Sequence, residues 1–190
     1  MYATPAQLKT YLAVTSTADD ALLTDLLVRA TAVIDQMTRK TFSAPSATSR
    51  TFGRELMLWD AQLRRDYLLL PSGVYIAQLV SATDGDGDAI PLTEIATHPP
   101  DAPYTVLARR GKRWCGASQQ ATITARWGYS IAPPADIVHA TIRLAAWMYR
   151  QRGTANDPDR PTVADGGLVL LPSALPDDVR AILERYRDVV

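Results

Sequence analysis

The chain has 190 residues, 47% hydrophobic and 21% charged, the composition of an ordinary globular protein that can bury a sizeable core as one domain, or one domain with an insertion. Twenty basic and twenty acidic side chains cancel, which excludes an overall electrostatic pull toward nucleic acid or an anionic membrane. A single cysteine, Cys115, excludes an internal disulfide, no window of about 18 apolar residues is present to cross a bilayer, and residues 1–15 lack the basic start and long apolar run of a signal peptide.

The first predicted element is a short helix opened by Thr4-Pro5-Ala6-Gln7. Thr4 is a good N-cap, Pro5 fits the first turn, and Gln7 completes a capping box. Val14-Thr15-Ser16 breaks the pattern. Thr17 then caps a longer helix, with Asp19 and Asp20 in its first turn and an end near Lys40. Leu23, Leu27, Ala30, Ile34 and Met37 step along it by four and three, the spacing of one buried face. Asp25 with Arg29 and Asp35 with Arg39 are i,i+4 pairs on its wet side.

Residues 43–132 change character: proline, glycine, serine and threonine rise, and the apolar period falls to two. Strands are predicted over 51–59, 67–70, 74–83, 90–94, 104–109 and 121–127. Weak alternation in 74–83 implies cover on both faces. Asp84-Gly85-Asp86-Gly87-Asp88 and Arg110-Gly111-Lys112 are turns.

The third helix spans 133–152 and is the centre of the chain. Pro134 suits its first turn and Asp136 its positive end. Ile137, Leu144, Trp147 and Met148 make one apolar stripe, and Val138, Ile142, Ala145 and Tyr149 a second. Only a thin polar line through Asp136, His139, Arg143 and Arg150 remains, so the helix should be packed on several sides. A polar, proline-broken loop over 154–161 follows Gly153. Beyond Gly166-Gly167 comes a bare apolar run, Leu168-Val169-Leu170-Leu171. A last helix begins at Pro176, and Val179, Ile182, Leu183 and Tyr186 form its single apolar face; so short a helix must dock, on its own chain or another. The predicted class is α+β: a helical core of four main helices over 1–42 and 133–190, with an antiparallel β-rich element over 43–132 inserted between helices 2 and 3.

No catalytic constellation is present. Asp84-x-Asp86-x-Asp88 imitates the start of a calcium-binding loop, but Ala89 stands where glycine is needed and Ile95 where the bidentate glutamate is needed. His139 or Cys115 would have to serve a small hydrolase without any marked nucleophile motif. Two histidines and one cysteine do not make a usual zinc site. Neither metal nor cofactor is expected. Arg109, Arg110, Lys112 and Arg113 form the one basic cluster, a solvated hairpin tip or a contact for phosphates or an acidic surface. The acids Asp84, Asp86 and Asp88 of a neighbouring subunit could be that surface.

The order of these pieces resembles the phage head–tail connector (adaptor) family. The resemblance lies in 1–12, in Asp19-Asp20-Ala21-Leu22-Leu23, and in Ile34-Asp35 before Arg39-Lys40-Thr41-Phe42. It continues through Leu69-Leu70-Pro71, Val80 to Gly87, Trp114 and 123–129, then 134–138, 144–149, Leu171-Pro172 and 183–187. It covers nearly the whole chain. It implies a non-catalytic virion protein at the head–tail junction, made in the host cytoplasm and assembled as a ring, usually of twelve copies, beneath the portal protein. Such a ring extends the channel through which double-stranded DNA passes and docks a stopper or tail-completion protein; no membrane is involved. A tail-completion or tail-terminator protein, or another non-catalytic binding module, is the alternative. Residues 168–171 and the face of the last helix are the expected subunit and partner contacts. The segment 156–172 is expected to order on partner binding, and deletion of 156–190 to abolish portal binding while leaving the domain folded.

Overall fold

The computed structural model describes residues 1–116, 118–151, 162–163, 169–170 and 175–187. The chain is α+β and divides into two compact units, one of Met1–Arg39 with Pro134–Val190 and one of Lys40–Pro133.

The first unit holds helices α1 (Pro5–Leu12), α2 (Asp20–Thr38), α3 (Ala135–Gln151) and α4 (Asp177–Glu184). Helix α3 packs against the other three, as a helix apolar nearly all round must. Ile137, Ala140, Thr141, Leu144, Ala145 and Ala146 are buried along it, and the Thr141 hydroxyl is satisfied by the Ile137 carbonyl at 2.8 Å. Leu8 of α1 and Leu23, Leu27, Ala30 and Ile34 of α2 are fully buried; each such leucine or isoleucine contributes about 2 kcal/mol relative to exposure. The capping box of α1 forms: Thr4 Oγ1 accepts from the Gln7 N–H, and Gln7 Oε1 accepts from the Thr4 N–H.

Helix α2 ends at Thr38 with Arg39 as C-cap, near Lys40 as expected, but its start and one of its predicted ion pairs differ. It starts at Asp20 with Asp19 as an N-cap that makes no side-chain capping bond. The Asp19 carboxylate instead accepts the Tyr149 hydroxyl at 2.7 Å, and Thr17 lies in the turn before, where its carbonyl accepts the Asp20 N–H. The Asp25–Arg29 pair is present at 2.7 Å. The Asp35–Arg39 pair is not: Arg39 closes the helix in the left-handed conformation at φ 55°, and Asp35 accepts the Tyr2 hydroxyl.

The second unit runs β1 (Thr48–Gly53), β2 (Met57–Asp60), β3 (Arg65–Leu69), β4 (Ile76–Thr83), β5 (Ala89–Ile90), β6 (Ile95–His98), β7 (Val106–Arg110) and β8 (Gln120–Trp127). It forms two four-stranded antiparallel sheets, ordered β1-β8-β4-β5 and β2-β3-β7-β6. Phe52, Leu68, Ile76, Leu107, Trp114 and Ile123, drawn from both sheets and the loop after β7, share one core. At each side a single stretch of chain turns from one sheet into the other through a 3-10 turn, Arg54–Leu56 between β1 and β2 and Leu92–Glu94 between β5 and β6. These corners correct two predicted strands. The strand over 51–59 is split in two by the first, and 90–94 holds only the end of β5 before the second, with β6 coming after it. Corners of this kind let packed sheets share strands without leaving open edges there. The weak alternation of β4 has a different cause from the expected two-sided cover. Its register with β8 shifts twice, at Ile76/Gln78 and Leu79/Ser81; each bulge flips the face of the residues beyond it, and Val80 is left 44% exposed.

Between α3 and α4, β9 (Thr162–Val163) pairs antiparallel with β10 (Val169–Leu170). The backbone of Val169 and Leu170 is therefore paired rather than bare. Leu168 and Leu171 lie outside the described residues.

Candidate functional site

Charged residues of the second unit meet at the β4–β5 hairpin turn and the loop after β7, which leads into the other sheet rather than closing a hairpin as expected. In the β4–β5 turn, Asp84 Oδ1 accepts the N–H groups of Asp86 and Asp88 at 3.2 and 3.0 Å, and the Gly87 N–H reaches the Asp84 carbonyl at 3.1 Å. Gly87 sits at φ +89°, a conformation that glycine adopts freely. One oxygen of Asp84 thus builds the turn. The other, Oδ2, lies 3.4 Å from Arg109 Nη1 on β7. Arg109 is only 4% exposed. The same Nη1 donates to the Arg113 carbonyl at 2.7 Å, so the guanidinium also shapes the loop after β7. Its Nε stands 3.9 Å from Glu94 Oε2, and both of these atoms are buried without a hydrogen bond.

Opposite Arg109 in register on β3 is Asp66, 2% exposed. Its Oδ2 accepts the Trp114 backbone N–H at 2.8 Å and its carbonyl accepts the Trp114 indole N–H at 2.7 Å. Two buried charges therefore hold the ends of the two sheets and the Trp114 loop together. An open cleft of about 430 Å³ is lined by Arg109, by Asp84, Asp86 and Asp88, and by Lys112 and Arg113. The expected acidic and basic clusters are brought together within one chain. Asp84 and Arg109 face each other there, so neither is a free surface charge. Arg113 lies over the Trp59 ring at 5.2 Å. Arg110 is exposed and belongs to the opposite face of its sheet.

Cys115 is buried and its sulfur accepts from Arg54 Nη1 at 3.6 Å. His98 lies against Tyr67 with ring centroids 6.5 Å apart, and His139 is exposed on α3. Among the described residues no group of three or more His, Cys, Asp or Glu could hold a metal ion.

The predicted contact face of the last helix is largely occupied. Val179 and Leu183 are fully buried in a helix that packs on α3 and α2; Ile182 and Tyr186 are half-buried. The Tyr186 hydroxyl meets both carboxylate oxygens of Asp136 at 2.9 Å. Arg143 Nε donates to Asp178 Oδ2 at 2.6 Å and Arg143 Nη1 to the Tyr11 hydroxyl at 3.3 Å. The bond from Arg143 holds the Asp178 carboxyl below its ordinary range, and the same bond raises Arg143 further above its own. Deleting 156–190 would therefore strip core side chains from the helical unit, a correction to the expectation that the remainder stays intact.

One surface escaped the sequence patterns. On the outer face of the β2-β3-β7-β6 sheet, Leu58 is 60% and Leu69 42% exposed. Starting the strand at Tyr67 hid the signal. Once β3 begins at Arg65, the alternation Arg65-Tyr67-Leu69 against Asp66-Leu68 separates an outward from an inward set.

No family model and no curated protein match the chain. Solved structures do share its fold. A chain from the neck of an empty gene transfer agent particle, computed with sixfold symmetry, has TM-score 0.58 and 22% identity, covering 100% of this chain and 91% of that one. A neck chain of the native particle, computed with twelvefold symmetry, has TM-score 0.54 and 18% identity over 97% and 88%. A chain from the virion of the native particle has TM-score 0.54 and 20% identity over 100% and 91%. Over its whole length, both units included, this chain has the fold of a gene transfer agent neck chain.

Proposed function

We propose that this chain is a structural protein of a virion neck. It is a head–tail adaptor that forms a ring of twelve copies under the portal, extends the DNA channel and docks a stopper or tail-completion protein. The observation that carries this is the full-length likeness to neck chains in particles computed with sixfold and twelvefold symmetry. Two features agree with it. Asp84 and Arg109 of the second unit are spent on holding its own turns. The zero net charge suits a passage that DNA must traverse without being gripped, since each neutralised phosphate adds affinity.

The test is electron microscopy of the purified chain mixed with its cognate portal protein, and separately with its tail tube. A closed ring stacked on the portal supports the proposal. A ring bound only to the tube would make the chain a tail-completion protein, and no ring with either would end the proposal. A deletion confined to 156–172, which spares α4, should abolish portal docking; retained docking would remove that segment from the contact.

A further inference from the structure

The β2-β3-β7-β6 sheet turns one face to the core and the other outward. Residues directly opposite on antiparallel strands share a face, so the register assigns the outer one. Leu68 pairs with Met57 and Leu107 and is fully buried; the alternate positions point away. They fall into three rows: Asp60, Arg65 and Arg110; then Leu58, Tyr67 and Ala108, the last fully covered; then Leu69, Val106 and His98. Leu63, in the β2–β3 turn, is a further apolar side chain at 58% exposure.

Arg65 and Arg110 stand directly opposite one another with like charge, an unfavourable cross-strand pair, and Asp60, opposite Arg65 on its other side, is the one carboxylate in their row. One oxygen of Asp60 shapes the turn, Oδ1 accepting the N–H groups of Gln62 and Leu63, and its single charge is shared by two arginines. Among the described residues neither arginine forms an ion pair with a carboxylate. The face is therefore apolar in its middle and basic at one margin, the anatomy of a protein interface.

We infer that this outer face is where one copy of the chain meets the next, and that it receives the acidic helical unit of the neighbour. The inference rests on the neck assignment above for the existence of a ring. The leucines decide against DNA as occupant: phosphates would pair the arginines but leave Leu58 and Leu69 in water. Charge selects the neighbour's helical unit. Lys40–Pro133 carries ten basic and eight acidic residues, so the remainder of the chain carries ten basic and twelve acidic. Asp60 is the only carboxylate on the face itself, so two copies joined face to face would leave the four arginines short of partners. A head-to-tail contact between two different patches, the kind that closes into a ring, meets the requirement.

The experiment places a photo-crosslinker at Leu58 (Leu58→p-benzoylphenylalanine) in a mixture of isotopically light and heavy chains, irradiated as the assembled ring. Crosslinks from light to heavy chains that map to Met1–Arg39 or Pro134–Val190 are expected. Crosslinks only within one chain, or only to the portal, overturn the inference. In parallel, Leu58→Glu with Leu69→Glu, and Arg65→Glu with Arg110→Glu, should fold by circular dichroism and weaken self-association about tenfold or more by mass photometry. Unchanged assembly overturns it. Portal binding is read separately. A photo-crosslinker chain that crosslinks copy to copy yet binds no portal defeats the neck assignment alone; one that rings on the portal with no crosslink to a second copy defeats this inference alone.

Discussion

In the helical unit, charge stays near the surface and the interior is made of aliphatic side chains. Leu23, Leu27, Ile34, Ile137 and Leu144 are at 0–1% exposure, while Arg143 with Asp178 and Tyr149 with Asp19 sit around them. In the β unit the interior contains charge. Asp66 and Arg109 are as deeply buried as the leucines beside them, and each ties down chain far away in sequence, Asp66 to Trp114 and Arg109 to Asp84. A helical core can be built from a repeated apolar spacing. A pair of small sheets with long turns leaves backbone groups unpaired at their ends, and a buried polar group satisfies them only where its own partners are complete. The β unit should therefore fail through loss of single polar contacts, and the helical unit only through loss of volume.

The largest expected effect is at Trp114. Trp114→Ala empties a fully buried site and removes the indole bond to the Asp66 carbonyl, and should cost about 4 kcal/mol. Leu144→Ala, its counterpart in α3, should cost about 3 kcal/mol through the cavity alone. Hydrogen exchange should place the Trp114→Ala damage in β3 and β7 and the Leu144→Ala damage in α2 and α3. Trp114→Phe keeps most of the volume and removes only the indole bond to the Asp66 carbonyl, and should cost about 1 kcal/mol. If Trp114→Phe costs nothing, the polar account of the β unit is wrong.

Next is Arg109→Ala. Breaking a buried pair leaves the other charge uncompensated, and here should cost about 3 kcal/mol by urea denaturation. Asp84→Asn keeps the oxygen that folds the β4–β5 turn while removing the charge that Arg109 faces. Combined with Arg109→Ala it should cost less than the sum of the two single changes, because the residues couple. Strict additivity would mean that the 3.4 Å contact contributes nothing.

The same contrast explains what was legible in the sequence. The capping box of α1, the central place of α3 and the apolar face of α4 rest on residues three or four apart, so spacing alone reveals them. The start of α2 lies past Thr17 at Asp20, with Asp19 as its N-cap, and spacing could not show that Tyr149, 130 residues away, takes the Asp19 carboxylate. The strands over 51–59 and 90–94 were misread because each stretch turns from one sheet into another, and nothing in a period of two announces a corner. The acidic turn and the basic cluster were both visible, but not that one chain joins them, since a 25-residue separation carries no local signal. The face of α4 was correctly seen as apolar; that Val179 and Leu183 fill the core of their own unit is information only the packing holds.

The smallest effects are titrations in the helical unit, and two carboxylates there should respond with opposite sign. Asp178 has its folded value pushed below the ordinary 3.8, chiefly by the hydrogen bond from Arg143. It contributes stability above the unfolded value, and that contribution is lost as pH falls through the folded one. With both side chains substantially exposed, at 29% and 45%, the pair is worth about 0.5 kcal/mol. Asp35 has its folded value pushed above 3.8, chiefly by burial, with the Tyr2 hydroxyl working the other way. The folded state therefore holds that proton more tightly, and stability falls as pH rises from the unfolded value through the folded one. Asp178→Asn should lower stability at neutral pH and have no effect well below pH 4. Asp35→Asn, which still offers Tyr2 an acceptor, should leave stability at neutral pH equal or slightly higher and flatten its decline above pH 4. Denaturation midpoints for the two variants that move together with pH, rather than apart, would show that burial of Asp35 does not govern its charge.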